Sequence, residues 1–483
     1  MSDIRRLPIG VQSFSVLRNE GFVYIDKTEY ILKLAAESRV YFLGRPRRFG
    51  KSLFLSTLKA YFLGKKELFK GLYIEEAEQR QAEKEGCESW GNYPVLHLDF
   101  NAGIYDTRES LINRFLSFFN EYEEIYKSTG LDIPDRFKNL IKKIYETTGR
   151  QVVILVDEYD KPLLETMIIN EPLNEEYRRI LKGFYGVIKS CDDYIRFAFL
   201  TGVTKFSKVS IFSDLNNLRD ISMLPDYDAV CGITQKEMEE VFKPEIIALG
   251  KAQDLTEDET LTKLKQKYDG YHFSENFVNV YNPFSLLNVF AGKVFRSFWF
   301  ATGTPTFLVR TLEHQKEIYI RDILEDAEMS ENALQDYRPD MNNPIPILFQ
   351  SGYLTIKDYD KEFQLYKLGF PNDEVKYGFL DNLVPAYTSI AKDASGLFIA
   401  NFVRDIENGK TESFMKRMYA ACAGLPYSLA SKENVQMRER DYQIAFYIIF
   451  SLMGQFVQTE VVSSKGRADC VLHTDDTIYI CMK

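Results

Sequence analysis

A short run from Gly50 to Ser52 has the residue types that hold phosphate groups. A lysine reaches the outer phosphates of a nucleotide, a serine hydroxyl binds Mg²⁺, and glycine lets backbone N–H groups approach the phosphate oxygens. The run lies between an apolar stretch and an amphipathic one, which is the strand-to-helix context that such a loop requires. We therefore predict a phosphate-binding loop in which Lys51 and Ser52 carry the chemistry.

The loop departs from the usual pattern, because five residues separate Gly44 from Gly50 and the usual first glycine position holds Arg45. Arginine adopts the backbone conformations of such a loop less readily than glycine. The three loop arginines either approach phosphates or a partner subunit, or they form a solvated basic loop. The residues predicted to bind nucleotide are Gly44, Arg45, Pro46, Arg47, Arg48, Phe49, Gly50, Lys51, Ser52 and Leu53.

A second run, VVILVDEYD, is an apolar strand that ends in adjacent carboxylates. Asp157 is predicted to hold Mg²⁺, and Glu158 to orient and deprotonate the water that attacks a γ-phosphate. Acidic residues also suit the start of a helix, which is the alternative interpretation. The G-K-S run upstream favours the catalytic one, so the two runs together predict a site for ATP with Mg²⁺.

Polar residues also follow two other predicted strands. In the run RFAFLTGVTK, the strand-like part ends at Thr201, whose hydroxyl could contact the γ-phosphate or the attacking water. Asp99 lies near the end of the run PVLHLDF, and Asn101 directly follows it. Parallel sheets bind ligands at the carboxyl ends of their strands, so both could face the same site, although simple capping of a loop explains them equally well.

The composition limits the class of protein. A chain of 483 residues is too long for one hydrophobic core, and 45% apolar residues are ample for two to four domains. A net charge of −10 excludes a broad positive field, so DNA binding would need local patches. The six scattered cysteines lack zinc-site spacing. We find no signal peptide and no apolar stretch long enough for a membrane helix, and expect a cytoplasmic protein.

Alternating strand-like and helix-like runs in the first 225 residues predict an α/β domain with a mainly parallel sheet. The predicted strands are Val40 to Leu43, Val95 to Phe100, Val152 to Val156 and Ile195 to Leu200. The predicted helices between and after them are Lys51 to Phe62, Arg108 to Tyr126, Asp135 to Thr147 and Glu175 to Ser190. The candidate site residues therefore lie at strand ends and at one helix start.

The pattern changes to consecutive helices from about Ile233. Farther on, ILFQSGYL is helix-like, whereas FQLYKL and VKYGFL resemble strands, which would suit a winged-helix-like connector. The last segment reads as the helix DYQIAFYIIFSLMG followed by strands at FVQTEVV, ADCVL and TIYICM. The predicted domains are a P-loop core at 1–225, a helical lid-like domain at 226–345, a connector at 346–410 and a small α/β domain at 411–483.

Taken together, the ordered motifs resemble the bacterial AAA-like ATPase family that carries a PD-(D/E)XK nuclease-like domain at its C-terminus. The resemblance rests on LPIGVQSFSVLRNEGFVYIDKT, RPRRFGKSLFLSTL, VDEYDKP, FLTGVTKFSKVSIFSDLNNL, YDGYHFSENFVNVYNPFSLLN, FWFATGTPTFL, LGFPNDEV and GRAD. It implies a P-loop NTPase core of the AAA/STAND-like type, a helical region and a restriction-endonuclease-like C-terminal domain. The pairing of these domains suggests a link to DNA processing, mobile elements or defence against foreign DNA, with DNA as a partner. A second copy of the chain is a further partner that we expect.

The resemblance also assigns a metal site to the C-terminal domain, where two carboxylates bind a divalent cation. Asp469 in GRAD matches the aspartate, and Glu439 matches a further acidic position on the preceding helix. Matching IYIC to the family's E-x-K strand places Met482 at the glutamate, just before the chain stops at Lys483. A thioether is a poor magnesium ligand. We expect no competent nuclease here, the domain being either truncated or degenerate, and an ordinary surface position explains Asp469 equally well.

Three functions remain open from the sequence. The first is an ATP-hydrolysing switch that engages DNA, the second an ATP-controlled nuclease completed by a partner, and the third a scaffold that binds nucleotide without turnover. Arg219, in LNNLRDIS, is either an arginine finger that acts across a subunit boundary or an ordinary surface arginine of a helix.

Overall fold

The computed structural model describes residues 5–86, 88–167, 169–205, 212, 215, 217–300, 327–335, 343–388, 390–423, 435–455, 458–464, 467–473 and 478–481. From residue 422 onward, only the side chains of 444–455 are described. The chain divides into two compact units, Met1–Arg296 with Glu328–Leu368, and Ser297–Ala327 with Gly369–Lys483. The finer division into four domains stays a prediction.

The first unit begins with a parallel sheet and the helices that cover it. The described strands have the order β2-β3-β4-β1-β5, and every neighbouring pair is parallel. In chain order the elements are α1 Phe14–Asn19, α2 Thr28–Glu37, β1 Val40–Gly44, α3 Lys51–Phe62, α4 Tyr73–Glu85, β2 Val95–Asp99, α5 Arg108–Tyr126, α6 Ile133–Thr148, β3 Val152–Asp157, α7 Lys161–Thr166, α8 Glu171–Ser190, β4 Ile195–Gly202 and β5 Arg219–Asp220.

The predicted α/β core is confirmed. Every residue of β3 is buried, because helices cover both faces of a parallel sheet and the strand is apolar throughout. Helices α3 and α5 have the predicted bounds. Helices α6 and α8 begin earlier than predicted, since the side chains of Asp132 and Asn170 accept hydrogen bonds from their first turns.

Consecutive helices and short strands make up the rest of the first unit. A β-bridge between Tyr271 and Val280 joins the two ends of the loop that connects the helices Glu257–Tyr268 and Pro283–Gly292. The elements are β6 Ile233–Thr234, α9 Gln235–Ala252, α10 Glu257–Tyr268, β7 Val280–Tyr281, α11 Pro283–Gly292, β8 Glu328–Ser330, α12 Glu331–Gln335, α13 Ile345–Gln350, β9 Thr355–Asp360 and β10 Leu365–Gly369. Strands β8, β10 and β9 form a separate sheet, in which β10 pairs with β8 in antiparallel direction.

The second unit has helices followed by three described antiparallel strands, as the C-terminal pattern predicted. The prediction of a strand at VKYGFL was wrong, because this run lies in a helix. Asn372 caps that helix by accepting from the Val375 N–H, and two acidic residues in its first turn favour the helix dipole. The elements are α14 Asp373–Tyr387, α15 Ser395–Glu407, α16 Thr411–Ala423, α17 Val435–Met453, β11 Gln458–Ser464, β12 Arg467–His473 and β13 Ile478–Cys481.

No helix within the described ranges combines the length and the apolar character that crossing a membrane requires. The cytoplasmic location that we expect from the sequence stays a prediction.

Candidate functional site

The predicted phosphate-binding loop joins the end of β1 to the start of α3. Gly50 has φ +91°, in the left-handed region that favours glycine, and it begins α3 without any side-chain cap. Arg48 is also left-handed, with φ +70°. The unusual spacing therefore places backbone strain at Arg48 and not at Arg45. The uncapped N-terminus of α3 presents N–H groups and a positive dipole end, which suit a phosphate.

Arg45 has an unexpected environment, because its side chain is only 1% exposed. Its guanidinium donates to the carbonyls of Gly44 at 2.9 Å, Ser222 at 2.6 Å and Tyr227 at 2.9 Å. It also lies over the ring of Phe273, 3.9 Å from the centroid. Arg45 is therefore neither a phosphate-facing arginine nor part of a solvated basic loop. Its guanidinium instead holds the loop to two later segments of the chain, at Ser222 and Tyr227.

The other loop cations are distributed differently. Arg47 is exposed, and the exposed Arg48 has its guanidinium over the ring of Phe284. Lys51 is 5% exposed, and its Nζ donates to the loop carbonyls of Arg45 at 2.9 Å and Pro46 at 3.0 Å. The Lys51 ammonium is thus held inside the loop by two of the loop's own carbonyls.

Asp157, at the end of β3, has the contacts expected of a magnesium ligand. Burial raises the pKa of its carboxyl to about 6, while a hydrogen bond from Ser52 and the charge of Lys51 oppose the rise. The carboxylates of Glu158 and Asp99 add to it. A buried carboxylate among other acids, bonded to a hydroxyl, offers the hard oxygen donors that Mg²⁺ prefers.

Glu158 directly follows and has a left-handed backbone with φ +48°. Its N–H donates to the Asp157 carboxylate at 3.0 Å, and its carbonyl accepts from the Lys161 N–H at 3.1 Å. The side chain is partly exposed. A left-handed non-glycine residue costs about 1–2 kcal/mol, and such strain is concentrated at functional sites.

Thr201 lies on β4, which is inserted between β1 and β3 and therefore separates the loop from the acidic strand end. It pairs with Leu43 and is fully buried. Its Oγ1 has no hydrogen-bond partner among the described residues. A buried hydroxyl without a partner costs about 1–3 kcal/mol, so a ligand oxygen beside it would be stabilising.

The two other polar strand-end residues take different positions. Asp99 pairs in register with Asp157, and its carboxylate accepts from the Asn101 N–H at 2.7 Å. Asn101 is exposed, and its carbonyl accepts from Lys161 Nζ at 2.6 Å. Asp99 therefore both caps its loop and lies next to the acidic strand end.

Sequence reasoning missed Asp160, the third acidic residue of VVILVDEYD. It is 1% exposed, and its Oδ2 accepts from Val203 N at 3.0 Å and Thr204 N at 2.6 Å. The Thr204 hydroxyl adds a bond of 2.8 Å. Burial raises the pKa of Asp160 and the bonds from Thr204 lower it. The only sign of Asp160 in the sequence was that VVILVDEYD contains a third acidic residue, whereas the predicted site required only two carboxylates.

A partly open apolar cavity adjoins the loop. The segment before β1 and the helices after β5 both contribute walls. Lining residues include Tyr24, Ile25, Phe49, Leu53, Val230 and Leu287. Its position beside Gly50 suits the base of a nucleotide whose phosphates lie in the loop.

Comparison with known proteins gives two matches within the chain and one along it. Residues 8–212 match a family described as "Predicted AAA-ATPase", and residues 437–481 match the PD-(D/E)XK nuclease superfamily. A protein of Azotobacter chroococcum mcd 1, named "Uncharacterized protein in vnfD 5'region", is 34% identical over 486 residues. The alignment covers 99% of this chain and 88% of that protein. The chain belongs to this AAA-ATPase-like family.

The C-terminal residues assigned by the resemblance fall in the nuclease-superfamily part of this AAA-ATPase-like protein. Asp469 lies on β12, where it pairs with Val462 of β11, and Glu439 lies on α17. The side chains of Asp469 and Glu439 fall outside the described part of the chain, as do Met482 and Lys483 altogether. Their role as a vestigial metal site stays a prediction.

Arg219 lies on the edge strand β5 of the AAA-ATPase-like core and not on a helix surface. Its Nη1 is 2.6 Å from Glu37 Oε2 in a partly exposed ion pair. An action across a subunit boundary would require this pair to open, and it stays a prediction.

Proposed function

We propose that this AAA-ATPase-like protein binds ATP with Mg²⁺ and hydrolyses it at the carboxyl end of the parallel sheet. The observation that carries the proposal is the buried, unpartnered hydroxyl of Thr201 between the loop and the acidic strand end. Lys51 begins α3, directly after the loop that leaves β1, and Asp157 ends β3, the two strands on either side of β4. The loop and two neighbouring strands thus supply a cation, a metal ligand and a free hydroxyl at the carboxyl end of the sheet.

Binding begins at the loop. Lys51 exchanges the carbonyls of Arg45 and Pro46 for phosphate oxygens, and the N–H groups at the start of α3 donate to the same phosphates. The base enters the apolar cavity beside Gly50. Binding therefore uses groups that already point inward and requires little rearrangement.

Ser52 and Asp157 would hold Mg²⁺, since a hydroxyl and a buried carboxylate supply the hard oxygen ligands that Mg²⁺ prefers, and the Ser52 side chain lies close enough to Asp157 to oppose the rise in its pKa. The bound ion would neutralise charge on the β- and γ-phosphates. Because burial raises the pKa of Asp157 to about 6, its carboxyl is mostly ionised above that pH and able to bind a cation.

Hydrolysis requires a base and a group that contacts the γ-phosphate. Glu158 is partly exposed at the end of β3 and orients the attacking water, whose proton it accepts. Thr201 donates its free hydroxyl to the γ-phosphate or to the water. The left-handed backbone of Glu158 is the kind of local strain that is concentrated at functional sites.

The second unit supports DNA as a partner. Residues 437–481 match the PD-(D/E)XK nuclease superfamily, and β12 places Asp469 within the antiparallel sheet. We therefore propose that nucleotide state at the ATP site controls how this unit engages DNA. Stimulation of ATP turnover by double-stranded DNA would support the link, and turnover that is insensitive to DNA would count against it.

The test of ATP binding is a titration of the purified chain with ATP and Mg²⁺, beside Lys51→Ala and the control Lys66→Ala. Lys66 is an exposed lysine in the turn after α3. Loss of a buried charge that contacts two phosphates should weaken ATP binding by about 100-fold in Lys51→Ala alone. Equal affinity of Lys51→Ala and the wild type would contradict the proposal.

A further inference from the structure

Asp160 begins helix α7 but does not cap it. The residue is the N-cap of α7, yet its side chain accepts no hydrogen bond from the first turn of that helix. All three of its observed bonds instead reach the segment that follows β4, at Val203 and Thr204. The ordinary role of an aspartate at a helix start therefore does not explain this carboxylate.

The preceding residue holds the same segment. Tyr159 N donates to the Thr201 carbonyl at 3.1 Å, and the Tyr159 hydroxyl donates to the Thr204 carbonyl at 2.7 Å. Two consecutive residues thus hold both ends of the segment from Thr201 to Thr204. We call this set of contacts, from Tyr159 and Asp160 to residues 201–204, the carboxylate clasp.

Gly202 lies at the centre of the clasp, where it packs closely against both Tyr159 and Asp160. A Cβ atom there would lie 2.5 Å from Asp160 Oδ1 and 2.7 Å from the Tyr159 ring, so no larger residue fits. The Gly202 carbonyl accepts from Arg45 N at 3.2 Å. The segment that carries Thr201 is therefore attached to the phosphate-binding loop as well as to the acidic strand end.

The attached segment includes the one residue on β4 whose buried hydroxyl lacks a partner within the described part of the chain. Thr201 Oγ1 is free, whereas its backbone is fixed by the pairing with Leu43 and by Tyr159. A hydroxyl that must reach a phosphate oxygen within hydrogen-bond distance depends on such a fixed backbone. The clasp supplies this constraint from the two residues that directly follow Glu158.

We propose that Asp160 is a positioning residue for ATP hydrolysis, which acts through the carboxylate clasp to hold Thr201 against the γ-phosphate. The inference rests on the proposed ATPase function and deepens it. ADP has no γ-phosphate, so the clasp contributes to the affinity for ATP and to turnover but not to the affinity for ADP. The site thereby distinguishes the two nucleotides through a residue that touches neither.

The experiment compares the wild type with Asp160→Ala, Asp160→Asn and a control, Asp405→Ala. Asp405 is also a buried carboxylate, but it lies in the second unit and accepts from Ser413 and Arg417. For each protein we would measure kcat and KM for ATP, the affinities for ADP and a non-hydrolysable ATP analogue, and the thermal midpoint. The two affinities separate γ-phosphate contact from general nucleotide binding.

We expect Asp160→Ala to lower kcat by about tenfold to 100-fold, the range for a misplaced catalytic contact. Affinity for the ATP analogue should fall while affinity for ADP stays unchanged. Asp160→Asn keeps an acceptor oxygen for the Val203 and Thr204 N–H groups and should recover most of kcat. Asp405→Ala should lower the thermal midpoint and leave kcat unchanged.

Several results would overturn the inference. One is a normal kcat in Asp160→Ala, and another is an ADP affinity that falls in parallel with kcat. A third is an equal loss of kcat in Asp405→Ala. If Asp160→Ala does not fold, Thr204→Val removes one of the three donors, and an unchanged preference for the ATP analogue over ADP would then refute the clasp. A wild type that binds no ATP would instead refute the proposed function itself.

Discussion

The two motif-bearing regions of this chain depart from their family patterns in opposite ways. At the proposed ATP site, Arg45 occupies the usual first glycine position, but its guanidinium donates to the carbonyls of Ser222 and Tyr227. Lys51 and Ser52 keep their places. In the nuclease-like region, the departure falls on a proposed ligand itself, because Met482 stands where a carboxylate belongs.

The difference shows that the effect of a departure from a motif depends on which functional atom the substitution removes. Replacing a glycine by an arginine changes the backbone options of a loop, and other contacts can compensate for that change. Replacing a carboxylate by a thioether removes a hard oxygen donor, for which magnesium accepts no soft substitute. We therefore expect chemistry at the first region and none at Met482, and the predictions below test this contrast.

The largest effect on stability should come from Arg45→Ala, because we interpret Arg45 as a structural residue of the loop. Truncation leaves the three carbonyls of Gly44, Ser222 and Tyr227 without their donor inside the protein. We expect the free energy of unfolding to fall by about 3 kcal/mol or more, measured by urea denaturation. Arg47→Ala, in the same loop but exposed, should change it by about 0.5 kcal/mol at most. Equal effects would contradict the structural role.

Asp157→Asn should stabilise the nucleotide-free protein. Burial raises the pKa of Asp157 from 3.8 to about 6, so the folded state favours the protonated carboxyl. Its contribution to stability is present below pH 3.8 and is lost as the pH rises through 6. At pH 7.5 the neutral asparagine should therefore raise the free energy of unfolding by about 3 kcal/mol or less. The gain should shrink between pH 7.5 and pH 5.5 in urea titrations, and a gain that is constant with pH would contradict the assignment.

Thr201→Val should have two smaller effects of opposite sign: it should raise the free energy of unfolding and lower the rate of ATP turnover. Removing a buried hydroxyl that has no described partner should stabilise the nucleotide-free protein by about 1 kcal/mol. The same change should slow ATP turnover, since the γ-phosphate loses its contact. In the control Thr260→Val, the lost hydroxyl donates to the Thr256 carbonyl, so no stability gain is expected. A Thr201→Val protein that is destabilised and fully active would reverse both inferences.

The sequence was sufficient for the parts of the site that are local in the chain. Alternating patterns predicted the strands, and the G-K-S run predicted the start of α3 at Lys51. Arg45 and Asp160 could not be interpreted in this way, because their partners lie far along the chain, at Ser222 and Thr204. Such contacts depend on the sheet order, which places β4 between β1 and β3 and is not encoded in any local pattern.

The smallest effect is expected at Asp469. Incubation of this chain with double-stranded DNA and Mg²⁺ or Mn²⁺ should leave the DNA intact, and Asp469→Ala should behave like the wild type. The reason is the thioether of Met482 at the position matched to a metal-binding glutamate. Cleavage that requires Asp469 would contradict this account and restore the hypothesis of an ATP-controlled nuclease.

The central claim is that this AAA-ATPase-like chain hydrolyses ATP at the site formed by Lys51, Asp157 and Glu158. Its most direct test is phosphate release with ATP and Mg²⁺ for the wild type, Lys51→Ala and Glu158→Gln, with Glu67→Gln as an exposed control. We predict release by the wild type and the control only, with a loss of about 100-fold or more in Glu158→Gln and ATP binding retained in that variant. Undiminished release from Glu158→Gln, or a wild type that binds ATP without turnover, would contradict the claim.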